Sequence, residues 1–110
     1  MIRNKSKKGV INGKVKNVID KSHLDRYLNI TKKAIDMVKS TEMDKKRMSE
    51  ALDFLDMAER YYNDAIFFYS KGDFINAFAA VNYAHGWLDA GARIGLFKVK
   101  DSKLFTVDDE

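Results

Sequence analysis

Residues 61–97 read YYNDAIFFYSKGDFINAFAAVNYAHGWLDAGARIGLF, and this stretch decides the fold. It holds ten of the thirteen aromatic residues of the chain. Lys71, Gly72 and Asp73 interrupt it at a turn, because glycine can take the left-handed conformation that ends a helix and aspartate can cap the next helix. So short a connection predicts two helices folded into an antiparallel hairpin.

The helix after this turn is predicted to run from Phe74 to Leu96 and to be covered on most sides. Nine of the nineteen residues from Ala77 to Gly95 are alanine or glycine. A glycine inside a helix costs roughly 0.5–1 kcal/mol relative to alanine, so three of them predict that another backbone comes close. We expect aromatic side chains of the preceding helix to lie over these small positions.

Two further helices are predicted before the turn. The first runs from about Leu24 to Lys39, with Ser22 as its N-cap in a capping-box arrangement. The second begins between residues 42 and 45 and ends at Ser70. Its apolar arc covers about half of the helix circumference, which is wider than one neighbouring helix requires.

The fold class that follows is all-α, a three-helix antiparallel bundle with a long hairpin formed by its second and third helices. The chain divides into a basic flexible tail of residues 1–21, a helical domain of residues 22–97 and a C-terminal tail of residues 98–110. We expect the first tail to be disordered. Three apolar residues are expected to dock the last tail on the bundle: Leu104, Phe105 and Val107.

Composition excludes several classes of protein. A chain of 110 residues is one domain with a modest core. No apolar run approaches the roughly 18 residues that span a bilayer, so we expect no membrane segment and a location in the cytoplasm. The absence of cysteine removes disulfides, thiolate metal sites and thiol catalysis. With the two histidines in different regions, neither a metal nor a cofactor is expected.

The formal net charge of +4 is unevenly distributed. Residues 1–21 carry seven bases against one acid, whereas residues 22–110 carry thirteen bases against fifteen acids. Five lysines of the tail are candidates for contacts with nucleic-acid phosphates: Lys5, Lys7, Lys8, Lys14 and Lys16. The alternative interpretation is a solubilising terminus, because the tail has no aromatic residue to stack on bases and only one arginine.

Five charged or titratable residues of the hairpin form a candidate polar site. His85, Asp89 and Arg93 are spaced four residues apart, so their side chains stack along one side of the third helix. The functional interpretation is a carboxylate that holds His85 as a base, or a half-site for a metal. The structural interpretation is a ladder of charged side chains. Glu59 lies at the border of the apolar arc of the second helix, where His85 or Arg93 is its expected partner. Asp64 also borders that arc and is interpreted as a cap of an interface.

The last two helices carry more apolar surface than a three-helix bundle buries, which predicts self-association, most simply as a homodimer. Five residues are predicted at this interface: Tyr61, Phe68, Tyr83, Trp87 and Ile94. An alternative for the aromatic residues is a ligand-stacking box. We assign no catalytic residue and expect a non-enzymatic interaction or scaffold module with an unknown protein partner. Two alternatives are a nucleic-acid accessory protein and a ligand-binding or hydrolytic domain that uses His85, Asp89 and Glu59.

The hairpin also resembles a known family. Residues 82–91, NYAHGWLDAG, carry the strongest part of a match that covers roughly residues 27–97. In this region the chain resembles an archaeal family known as domain-of-unknown-function family three-five-seven. The resemblance implies a small all-helical bundle with no assigned activity, and it does not extend to the basic tail.

Overall fold

A computed structural model of the chain describes residues 16–107, and it has the predicted all-α architecture. Three helices, α1 (Lys21–Ser40), α2 (Met48–Ser70) and α3 (Phe74–Arg93), form an antiparallel bundle. A single 3₁₀ turn, Lys45–Arg47, precedes α2. The predicted disorder of the basic tail falls mostly outside the described residues.

The start of α1 differs from the prediction. Asp20, and not Ser22, is the N-cap, because its carboxylate accepts hydrogen bonds from the backbone N–H of His23 at 2.9 Å and from the Ser22 hydroxyl at 2.9 Å. Both residues have side chains that cap helices. The chain uses the earlier one, so the helix begins with Lys21.

The connection between α1 and α2 is longer than predicted. The Thr41 hydroxyl donates to the carbonyl of Met37 at 2.9 Å and so closes α1. Asp44 then caps the 3₁₀ turn by accepting from the backbone N–H of Lys46 at 2.9 Å. This turn postpones the first residue of α2 to Met48.

The hairpin turn is confirmed. Gly72 has a φ angle of +75°, the left-handed conformation that ends α2 at Ser70. Asp73 caps α3 by accepting from the backbone N–H of Asn76 at 3.2 Å. As a result α2 and α3 lie antiparallel along their whole length and share the largest helix–helix contact of the bundle.

The core runs between the three helices. The apolar face of α1 is buried, and its residues recur mostly every three or four positions from Leu24 to Val38. On α2 and α3 many buried positions are alanines, which allow the helix backbones to approach closely. Fully or almost fully buried alanines occupy both helices: Ala51, Ala58, Ala65, Ala77, Ala84 and Ala92.

The end of α3 lies three residues before the predicted end at Leu96. The helix stops at Arg93, because Gly95 has a φ angle of +80° and the backbone N–H of Leu96 returns to the carbonyl of Gly91 at 2.8 Å. Gly95 is therefore a helix terminator and not a packing residue. The chain reverses here and inserts Phe97, which is 1% exposed, into the core.

Phe97 explains why one glycine lies inside α3. A methyl group added to Gly91 would overlap the Phe97 ring. The close neighbour that we predicted is thus an aromatic side chain from the segment after α3, and not the backbone or an aromatic residue of α2. Gly86 has no such neighbour, since a methyl group there would have no heavy atom within 4 Å.

Residues 98–107 pack against the bundle, as expected for its C-terminal apolar residues. Phe105 is 3% exposed, and Leu104 and Val107 pack against the same core cluster. The segment begins beside the α1–α2 connection, where Met43 and Phe97 form a single antiparallel bridge. It ends over the side of α3 that carries His85.

A hydrogen bond between α1 and the end of α2 predicts a pH effect. The Tyr69 hydroxyl donates to Asp25 at 2.6 Å and the Lys21 ammonium donates at 3.0 Å, and together they hold the pKa of the Asp25 carboxyl below its usual value. Because the folded state has the lower pKa, this contribution is present above the ordinary carboxyl range. It is lost as pH falls through that range towards the folded pKa.

We therefore expect Tyr69→Phe to raise the pKa of Asp25 towards its usual value, as measured by NMR titration of the side-chain carboxyl carbon. Asp20 serves as the control, because its pKa is lowered chiefly by the backbone N–H of His23 and it does not contact Tyr69. An unchanged Asp25 titration in the variant would contradict the assigned cause.

Candidate functional site

His85 is fixed on both sides of its ring. Its Nε2 lies 2.7 Å from the carbonyl oxygen of Leu104, and its Nδ1 lies 3.0 Å from the hydroxyl of Thr31. A carbonyl can only accept, so Nε2 carries the hydrogen and, in the neutral ring, Nδ1 accepts from Thr31. His85 thereby joins α1, α3 and the C-terminal segment, and both ring nitrogens are occupied.

Asp89 holds the same segment one turn further along α3. Its two carboxylate oxygens accept from the backbone N–H of Thr106 at 2.9 Å and from the Thr106 hydroxyl at 3.1 Å. The nearest oxygen is 3.7 Å from Nε2 of His85, too far for a hydrogen bond. Asp89 thus binds the segment directly, and the geometry favours a structural role for the pair over that of a catalytic base.

The other three residues of the predicted polar site lie elsewhere. Glu59 accepts from the Lys39 ammonium at 2.7 Å, so the prediction that His85 or Arg93 would be its partner is wrong. The reason is the rotation of α2, which turns Glu59 towards α1. Asp64 is exposed.

Arg93 lies at the end of α3, where it lines a hollow of about 380 Å³ with Lys98 and Lys100. The lining of this hollow combines these cationic residues with buried apolar ones, among them Phe97 and Val99. This hollow was not predicted, because Lys98 and Lys100 follow α3 in an irregular segment, where helical periodicity does not indicate which side chains come together.

A groove between α1 and α2 is lined by three ion pairs. It measures about 380 Å³, and Glu59 and Lys39 bridge its two helices. Tyr62 lies at its base, where burial raises the pKa of the phenol. Every other charged residue of the groove pairs along its own helix: Lys32 with Asp36 and Arg60 with Asp56.

Three of the aromatic residues predicted at an interface, Tyr61, Tyr83 and Trp87, lie in one row across α2 and α3. The Tyr61 and Tyr83 rings meet edge to face with their centroids 4.4 Å apart, and Trp87 follows at 6.5 Å from Tyr83. Phe54 of α2 completes the row at 5.0 Å from Trp87. Tyr83 remains 54% exposed, whereas Tyr61 and Trp87 are half-buried.

The two other predicted interface residues lie near the ends of the hairpin. Ile94 is 52% exposed at the end of α3. Phe68 is half-buried near the turn and contacts the exposed ring of Phe67. The predicted set therefore contains both surface residues and residues that the monomer already shields.

Beside the aromatic row lies an apolar hollow of about 280 Å³. Its lining consists of aromatic rings and small residues: Phe54, Tyr83, Gly86, Trp87 and Ala90. Gly86 is exposed at its floor. Sequence analysis recognised the small residues of α3 but assigned them to packing within the bundle.

Exposed α3 residues continue this surface along the helix. Asn76, Ala79, Tyr83, Gly86, Ala90 and Ile94 are all exposed and follow one another at intervals of three or four residues, so they share one face. We call this set the α3 stripe. It contains no charged residue and extends over about 27 Å at 1.5 Å per residue.

Of the five tail lysines predicted to contact phosphates, only Lys16 lies within the described residues, and it is exposed. Lys5, Lys7, Lys8 and Lys14 lie outside them. Among residues 16–107, no group of three or more histidine, aspartate or glutamate side chains is arranged to hold a metal ion. None of the helices in this range combines the length and apolar character that crossing a bilayer requires.

Sequence reasoning missed the residues that hold His85 and Asp89. Thr31 lies among the buried apolar residues of α1, and a single polar residue in such a pattern is a signal for a buried hydrogen bond. Thr106 and the Leu104 carbonyl gave no signal, because their role depends on the path of an irregular segment.

We expect His85→Ala to lower the free energy of unfolding by about 1–2 kcal/mol, since it removes two hydrogen bonds from a partly buried site. We expect the lower of these two values, because the Thr31 hydroxyl can turn to a carbonyl of its own helix and so keep a hydrogen bond. Amide hydrogen exchange of residues 98–107 should accelerate.

His23→Ala is the matched control for this change. The His23 side chain is 59% exposed and its ring contacts only the neighbouring Asp20. It should change stability by roughly 0.5 kcal/mol or less and leave exchange in the C-terminal segment unaltered. Equal effects of the two substitutions would contradict the role assigned to His85.

The fold and these surfaces define a small all-α protein built on an antiparallel helical hairpin. The chain belongs to the family described as Protein of unknown function (DUF357), whose model matches residues 26–97. No curated protein and no solved structure matches the chain. The family prediction is thus confirmed, and the matched range ends before the segment that covers His85.

Proposed function

We propose that this protein is a non-enzymatic helical interaction module that self-associates as a homodimer through the exposed face of α2 and α3. The α3 stripe is the observation that carries the proposal. An uncharged surface of this length is unusual on a protein in which a third of the residues are charged.

The size of the face supports a modest affinity. Over about 27 Å and the width of two adjacent helices, it covers on the order of 500 Å². Stable interfaces bury about 800 Å² per partner. We therefore expect a reversible dimer with a dissociation constant in the micromolar range, and not a permanent assembly.

Sedimentation equilibrium over roughly a hundredfold range around micromolar concentration tests this proposal. Gly86→Glu should make the protein monomeric, because it places a charge in the middle of the α3 stripe without touching the monomer core. Leu52→Glu is the control, since Leu52 is 52% exposed on the side of α2 that faces away from α3. A strictly monomeric wild-type protein would refute the proposal.

Nucleic-acid binding is the second candidate function. The observation in its favour is that Arg93, Lys98 and Lys100 share one hollow, which adds a cationic surface on the bundle to the lysines of the tail. Such contacts strengthen binding to phosphates without reading sequence.

Fluorescence anisotropy with a labelled single-stranded RNA at two salt concentrations tests this candidate. Replacing the five tail lysines with glutamine should abolish salt-dependent binding if the tail carries it, whereas Arg93→Gln with Lys98→Gln should do so if the hollow carries it. Absence of binding by the wild-type protein would end this candidate.

The ligand-binding or hydrolytic alternative gains no support from the geometry. Glu59 lies in the α1–α2 groove, while His85 and Asp89 bind the C-terminal segment on another side of the bundle. The three residues do not share a pocket.

A further inference from the structure

The α3 stripe carries both a protruding side chain and a hole of matching character. Tyr83 is 54% exposed, and its ring lies edge to face with Tyr61 of α2. The apolar hollow is lined by residues 83, 86, 87 and 90 of α3 and by Phe54 of α2. Four residues in this i, i+3, i+4, i+7 arrangement form the hole that receives one side chain in knobs-into-holes packing.

A protein whose face carries both a knob and its hole can pair with a second copy of itself. In a two-fold symmetric interface, if residue i contacts residue j of the partner, then j contacts i of the partner. The two-fold rotation therefore places the knob of each copy in the hole of the other copy. A parallel arrangement would instead set Tyr83 against Tyr83 and Gly86 against Gly86, so that neither knob would enter a hole.

We propose that two copies pack α3 against α3 in antiparallel orientation, with each Tyr83 side chain seated over the partner's Gly86. This inference rests on the proposed function, because it specifies the geometry of the same dimer. The occupant of the hollow is a tyrosine of the second copy.

The rest of the α3 stripe fits this register. In an antiparallel helix pair, residues that lie opposite one another have numbers with a constant sum. Tyr83 with Gly86 and Ala79 with Ala90 add to 169, and Asn76 with Ile94 adds to 170. Each large residue therefore meets a small or uncharged one, and Ala79 meets Ala90 on both sides of the two-fold axis. The antiparallel direction also aligns the helix dipoles favourably.

Disulfide cross-linking tests this register, because the chain contains no cysteine. Ala79 and Ala90 are both exposed, so Ala79→Cys and Ala90→Cys leave the monomer intact. When the two variants are mixed and oxidised, we expect the heterodimeric cross-link to exceed either homodimeric one by at least tenfold. Equivalent positions in the antiparallel pair are about 16 Å apart along the helix, beyond the reach of about 7 Å between the Cα atoms of a disulfide.

The outcomes separate this inference from the proposed function. Homodimeric cross-links in either variant alone would show a parallel pair and overturn the register. A protein that is dimeric by sedimentation but gives no cross-link would overturn the register and retain self-association. A monomeric protein without cross-links would overturn both. As an independent readout, Gly86→Gln should weaken the dimer at least tenfold while the helical circular dichroism is unchanged.

Discussion

Phe97→Ala is expected to lower the free energy of unfolding by about 3–5 kcal/mol, the range found when a fully buried phenylalanine is truncated. The ring is 1% exposed and fills the space above Gly91, in the cluster that joins all three helices. Removing it leaves a cavity that α3 cannot close, because its neighbours are held by the core. Denaturant unfolding at a low protein concentration, at which the proposed dimer would be dissociated, measures the effect.

Phe67→Ala is the matched control for this experiment. Phe67 is 56% exposed on α2, so its loss should cost roughly 0.5 kcal/mol or less. If the two truncations were equally mild, the segment after α3 would not be part of the core, and the chain reversal at Gly95 would have no energetic role.

The second large effect is expected for two glycine substitutions that change the stability of the monomer in opposite directions. Gly91→Ala should destabilise the monomer by about 1–3 kcal/mol, because the added methyl group overlaps a buried ring that has no room to move. Gly86→Ala should stabilise the monomer by roughly 0.5–1 kcal/mol, since its methyl group meets open space and alanine is the better helix former.

Thermal unfolding of the two variants side by side gives the comparison. Combining Gly91→Ala with Phe97→Leu should recover part of the loss, because the smaller side chain makes room for the methyl group. Destabilisation by both alanine substitutions, or by neither, would contradict the packing described here. A stabilised Gly86→Ala would also show that the fold of the monomer does not require this glycine.

Much of the fold could be predicted because its signals are local. Apolar residues recur along α1 with helical spacing, Gly72 and Asp73 mark the turn, and the first residue of α3 follows from its cap. The errors fall where two local signals compete. Asp20 and Ser22 can both cap α1, and Gly95 can either continue a helix or end it.

The candidate site was less predictable, since its contacts join residues far apart in the chain. Thr31 and His85 are separated by 54 positions, and Leu104 lies 19 positions beyond His85. Helical spacing placed His85 on the same side of α3 as Asp89 but did not predict which residues would contact its ring. The same holds for Glu59, whose pairing with Lys39 depends on how α2 is rotated against α1.

The sequence by itself determined the three helices, the antiparallel hairpin and a third helix that is rich in small residues and poor in charged ones. It could do so because helical periodicity, capping residues and turn residues act over a few neighbouring positions. Only the tertiary structure decided which polar groups pair, that Phe97 returns to cover Gly91, and that Gly86 stays open beside Tyr83. These outcomes depend on the path of the irregular segments and on the relative rotation of packed helices. Neither property produces a periodic pattern in the sequence.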